Sequence, residues 1–133
     1  MPANTSPLFS IIPVCAVAQI SAANTNRDGT GTIVDVVTGD TDGTRIEMIT
    51  VTATGTTTAG MVRLYIYNGA TTKLWKEVSV TAITPSATTK AFTAEEARYD
   101  GRPLLVLPSG HKIQASTHNA ETFNVIAQGG DFS

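Results

Sequence analysis

The stretch TTTAGMVRLYIYNG, residues 56–69, decides the fold. It holds a polar run, a glycine turn, a strand of alternating character and an Asn-Gly turn. Val62, Leu64 and Ile66 fall on one face of that strand, and Arg63, Tyr65 and Tyr67 on the other. Successive side chains of an extended chain point to opposite sides, so a period of two marks a half-buried β-strand. Asn68-Gly69 supplies the positive-φ positions of a tight hairpin turn.

Working outward, the same pattern recurs. Residues 14–20, 32–38, 45–54, 61–67 and 72–80 read as strands, separated by turn-forming runs such as SAANTNRDGTG and GDTDGT. In residues 45–54, Ile49, Val51 and Ala53 share one face while Ile46 and Met48 start the other. In residues 72–80, Leu74, Lys76, Val78 and Val80 alternate with Trp75, Glu77 and Ser79. Residues 90–93 give a short strand, and 94–98 (AEEAR) a single helical turn. Residues 103–107, 111–117 and 122–128 close the series, with Ile113 and Ala115 facing inward. About eight or nine strands at spacings near ten residues predict an all-β protein, an antiparallel β-sandwich with a jelly roll as the leading topology. Residues 14–133 form one domain. Residues 1–13 carry Pro2, Pro7 and Pro13 and read as an extended N-terminal arm.

Composition agrees. The 133 residues suffice for one core. Thr supplies roughly one residue in six, and β-branched side chains favour pleated sheets. Charged residues are 15%, well below the usual quarter, and the net charge is −2. Low charge with many small polar residues suits a surface covered in an assembly. No basic field exists to attract nucleic acid. The apolar run 8–20 has no positive segment before it and is interrupted by Pro13, which argues against a secretory signal, and it is too short to span a membrane. Cys15 has no internal partner and reads as a small packed hydrophobe.

Chemical motifs are sparse. Asn24, Asn26 and Asp28, with Gly29 sixth and Asp35 twelfth, resemble a calcium loop in their spacing. The flanks read as strand and the first position is neutral, so a hairpin loop with Asx turns is the competing reading. Asp40 and Asp42 read as turn formers, and Glu95-Glu96 as a solvated turn. His111 and His118 lie an odd number of positions apart, which on a strand separates their faces. No nucleophile elbow, Cys–His pair or phosphate loop occurs. The expectation is therefore no enzyme and no cofactor. Outward aromatics on a sheet mark a protein interface or a sugar platform. The interface candidates are Arg63, Tyr65, Tyr67 and Trp75, with Leu8 and Phe9 of the arm.

Four phrases carry a family resemblance: NTNRDGTGTIVDV (24–36), TGTTTAGMVRLYI (54–66), LPSGHKIQAST (107–117) and FNVIAQGGDF (123–132). They resemble small tailed-phage and prophage proteins similar to head decoration, or capsid cement, proteins. The resemblance spans most of residues 24–133 and implies a role rather than a reaction. It implies a virion protein, made in the host cytoplasm, that binds the outer face of the capsid and stabilises it. The implied partners are the major capsid protein and further copies of the chain, as a homotrimer, with no nucleic acid and no membrane. Two alternatives stand beside it. One is a receptor- or carbohydrate-binding jelly-roll module of a phage tail fibre, using Trp75, Tyr65 and Tyr67. The other is a cupin-like enzyme, for which two histidines are a poor ligand set.

Overall fold

The computed structural model describes residues 12–133. Nine strands are present among these residues: β1 (Ile12–Ile20), β2 (Val34–Thr38), β3 (Thr44–Ala53), β4 (Gly60–Tyr67), β5 (Thr72–Val80), β6 (Thr93–Ala97), β7 (Leu105–Leu107), β8 (Lys112–Thr117) and β9 (Phe123–Asp131). There is no helix among the described residues, and so none long and apolar enough to cross a membrane. The strands form two antiparallel sheets of a β-sandwich. One has the order β1-β9-β3-β6, with β7 beside the start of β3; the other has the order β2-β8-β4-β5.

The pairing is nested. β1 pairs with β9, β2 with β8, β3 with β6, and β4 with β5. The chain crosses between the sheets after β1, β2, β3, β5, β7 and β8. Between the sheets, Ile46, Ile49, Val51, Val125 and Ala127 of the first meet Val62, Leu64, Val78, Ile113 and Ala115 of the second. All ten are buried, Ile113 and Ala115 facing inward as their alternation predicts. Phe92 and Phe123 meet edge to face at 6.3 Å near one end of the core.

Three bulges break the expected alternation. In β3 the register with β9 shifts between Ile46 and Met48, so Ile46 turns inward with Ile49 and Val51 and only Met48 faces out. In β2 a shift between Asp35 and Val37 lets both Val36 and Val37 be buried. In β5, Trp75 is the extra residue: Lys76 lies opposite Leu64 and Leu74 opposite Tyr65. An unpaired residue flips the faces beyond it, so Trp75 packs against the core instead of projecting from it.

Two further expectations are corrected. AEEAR is not a helical turn, since Thr93–Ala97 is β6, paired with Met48–Thr52 of β3. Five residues are too few to sustain a helix alone, and the open side of β3 offers ladder partners. Pro13 belongs to β1, opposite Gly130, rather than to an arm. β1 is an edge strand, where the missing N–H of proline can face away from the ladder. The remainder of the proposed arm, with Leu8 and Phe9, lies outside the described residues.

Candidate functional site

The polar face of β4 is covered rather than open. Arg63 and Tyr65, expected at an exposed interface, are fully buried. The segment 21–33 between β1 and β2 crosses over them. Its fit begins at Asn24, whose N–H donates to the carbonyl of Thr117 at 2.8 Å beside a bridge between Ala23 and Thr117. The Asn24 side chain then ties the loop to itself: Nδ2 donates to the carbonyls of Thr30 and Thr32, and Oδ1 accepts from the N–H of Asn26. Gly29 and Gly31 both have φ of +86°, and a Cβ on Gly31 would sit 2.7 Å from the Asn24 amide. Gly29 likewise rests on the Thr72 carbonyl of β5.

Beneath this loop Arg63 makes three bonds. Nε donates to Glu77 Oε2 at 3.1 Å, Nη1 to the Asn24 carbonyl at 3.1 Å, and Nη2 meets His118 Nδ1 at 3.1 Å. A guanidinium can only donate, so His118 Nδ1 accepts and the neutral ring carries its proton on Nε2. The Tyr65 hydroxyl donates to the Asn26 carbonyl at 2.8 Å. Arg27 of the loop donates through Nε to the same Glu77 oxygen at 2.9 Å. Bonding by Arg27 first, then by Arg63, holds the Glu77 carboxyl below the usual carboxylate range. A buried arginine is costly unless its donors are matched, and here β5, the loop and the segment after β8 each supply an acceptor.

The calcium-like spacing has the same structural use. Asp28 Oδ1 accepts from the Thr30 N–H and hydroxyl, and Asn26 Nδ2 donates to Thr30 Oγ1. Asp35, on β2, accepts from Gln114 and Lys112 of β8, which lowers its pKa, Gln114 contributing most. The loop is therefore held by protein donors through Asx turns, but it is a crossover between the two sheets and not the expected hairpin, since β1 pairs with β9 and β2 with β8; Asp35 belongs to a cross-strand network. Among the described residues no three His, Cys, Asp or Glu side chains gather as a metal-ion site.

The aromatic platform is dismantled as well. Tyr65 lies under the loop, Trp75 packs on the core, and Tyr67 is half-buried with Lys112 Nζ 5.6 Å from its ring centre.

The open surface is instead the outer face of the first sheet, which residue-by-residue reading passed over. Register places Val17, Ile126, Thr50 and Glu95 in one row across the four strands. Cys15, Gln128, Met48 and Ala97 form the next, and Gln19, Asn124, Thr52 and Thr93 the third. Glu95, at the β6 edge, is the one charged group in these rows. β1 borders the face as a nine-residue edge without any charge, exposing Cys15 and leaving Val17 67% accessible. The edges β2, β5 and β6 carry acidic or basic residues: Asp35 on β2, Lys73, Lys76 and Glu77 on β5, Glu95 and Glu96 on β6; the three-residue β7 is the other uncharged edge and is short. Charges on edges normally block pairing with other chains, and β1 has only Pro13 to serve that end.

No protein-family model matches the chain, and no curated protein matches it significantly.

Proposed function

We propose that this chain is a structural protein of a phage virion, a decoration protein that binds the outer surface of the assembled capsid as a homotrimer and stabilises it. The observation that carries this reading is the three central rows on the outer face of the first sheet, with Glu95 as their one charge, bordered by the uncharged edge β1; Arg45 and Glu47 lie beyond them at one end of the face and pair with each other. Exposed sheet faces of soluble proteins are normally interspersed with charge, and depletion of charge is the compositional sign of an interface core. On the opposite face loop 21–33 already covers Arg63 and Tyr65.

The rows span roughly 300–400 Å² from strand spacing and rise. That is about half of the ~800 Å² each partner contributes to a standard interface. A role built on one such contact would be weak, whereas repeated attachment on a symmetric lattice multiplies modest contacts. The nested pairing of first with last and second with next-to-last strand, with β7 set aside, supports a jelly-roll topology. The resemblance of the turn-and-strand phrases to capsid cement proteins supports the same role.

The test is co-sedimentation of the purified chain with capsids of its own phage that lack it, followed by imaging of the particles. Saturable binding at threefold or local threefold positions, with a raised capsid melting temperature, is expected. Val17→Lys should abolish it without unfolding the chain. Absence of binding at micromolar concentration, or equal binding by Val17→Lys, would remove the basis of the proposal.

A further inference from the structure

On the other side of the molecule, an open depression of about 350 Å³ lies between loop 21–33, the β4–β5 ladder and the turn after β8. Its charged lining groups are Arg27 and Arg63; His118 and Ser79 add polar atoms, and Met61 and Val80 give it apolar walls. The nearest carboxylate, Glu77, is not part of the lining. Its Oε2 is shared by both arginines, so the cluster of Arg27, Arg63 and Glu77 retains one positive charge in a protein whose net charge is −2. The other acid in this region, Glu121, is engaged by the Thr58 N–H and hydroxyl and is likewise outside the lining.

The donors that remain are specific. Arg27 uses only Nε, which leaves its two terminal amino groups, the forked end that matches a carboxylate in bidentate fashion. His118 accepts from Arg63 at Nδ1, so its Nε2 carries the proton and is a donor. Donors on three sides of an open hollow with apolar walls fit a carboxylate on a short aliphatic stem. They do not fit a cation, and no carboxylate lines the hollow to hold one.

We propose that this depression is a carboxylate-binding site, with the Arg27 fork as its principal contact and His118 and Ser79 as supporting donors. The carboxylate belongs either to a free aliphatic acid or to an aspartate or glutamate presented by another protein. The site stands on its own geometry and is independent of the capsid reading.

The experiment is an NMR titration of the isotope-labelled full chain, observing the Arg27 Nε–H and His118 ring signals. One arm uses propionate, the other an end-blocked peptide with a single glutamate, and both are matched by sodium chloride at equal ionic strength. Saturable shifts of both residues by either carboxylate, absent with chloride, are expected. Peptide binding at least tenfold tighter than propionate assigns the site to a protein partner, and equal affinity assigns it to a free acid. Arg27→Gln should weaken binding tenfold or more, and Arg27→Lys, which keeps the charge and loses the fork, by an intermediate factor. Arg27 is on an exposed loop, so both variants should melt close to the parent. No saturable shift with either carboxylate, a shift equalled by chloride, or unchanged affinity in Arg27→Gln would each overturn the proposal.

Discussion

Replacing Arg63 by methionine tests whether the loop over β4 is held by its three bonds. Methionine keeps much of the apolar stem, so little transfer energy changes. Glu77 retains Arg27 as a partner and stays partly solvated. The main loss is at the Asn24 carbonyl, in a residue only 5% exposed, which becomes a buried acceptor without a donor. Such an orphan costs about 1–3 kcal/mol. His118 Nδ1 loses its donor too, but that ring is half-buried and can take water or turn, so it adds under ~1 kcal/mol. The sum is about 1–4 kcal/mol, or roughly 3–20 °C in melting temperature for a domain of this size. Urea unfolding at fixed protein concentration measures the total. Hydrogen exchange locates it, because the amides of Asn24 and Asn26, bonded to Thr117 and to the Asn24 side chain, should lose protection beyond the global change. Some buried ion pairs can be replaced by hydrophobes without loss. A variant within 0.5 kcal/mol of the parent, or loop amides exchanging at the parent rate, would show that the loop does not depend on Arg63 and refute the reasoning.

Other perturbations follow from the same geometry. Gly129→Ala in β9 would place a Cβ 1.8 Å from the Arg45 carbonyl, a backbone clash, so loss of about 3 kcal/mol or more, or failure to fold, is expected in denaturation. Gly55→Ala meets nothing within 4 Å and should melt within a degree or two of the parent, or slightly higher. Glu77 and Asp35 both have folded pKa values lowered from their ordinary 4.5 and 3.8. Their contributions are therefore complete above those values and lost as pH falls through the lower folded ones. Carboxyl carbon titration should show both midpoints displaced downward, and Asp35→Asn should flatten the acid limb of the stability curve; midpoints at ordinary values would contradict the bonding described. Val17→Lys should change monomer stability by less than about 0.5 kcal/mol while removing any self-association seen by sedimentation.

The fold was legible where alternation ran undisturbed. The bounds of β5 at residues 72–80 follow from Thr, Val and the preceding Asn-Gly turn, and the inward pair Ile113 and Ala115 follows from a period of two. Reading failed where one residue too many entered a strand. Nothing local distinguishes Trp75 as the bulge residue, because the register is set by β4 across the hairpin. It failed again at AEEAR, whose residues favour helix individually while the open side of β3 decided otherwise. The arginine cluster was illegible for a different reason. Asn24 and Arg63 are 39 positions apart, and an arginine alternating with aliphatics looks like a solvent-facing residue until a loop from elsewhere covers it. The signal available was indirect: loop 21–33 is rich in Asn, Asp and Gly, enough to fold on itself and lie flat. The sparsely charged rows could have been found by aligning strands on their outward residues, which requires the register first.

The nested pairing also sets a timetable. Of the described strands β1 leaves the ribosome before the other eight, and its ladder partner β9 after them. Until residue 131 has emerged, the nine-residue β1 has no place in its sheet, and β3 lacks the neighbour that fills its other flank. Closing contacts of such long sequence separation is slow, so the newly made chain passes through a period with an uncharged strand unpaired on both sides. Crowding many nascent copies together, as high-level expression does, should therefore favour misassembly before the sandwich is complete, and slower synthesis at lower temperature should raise the soluble yield.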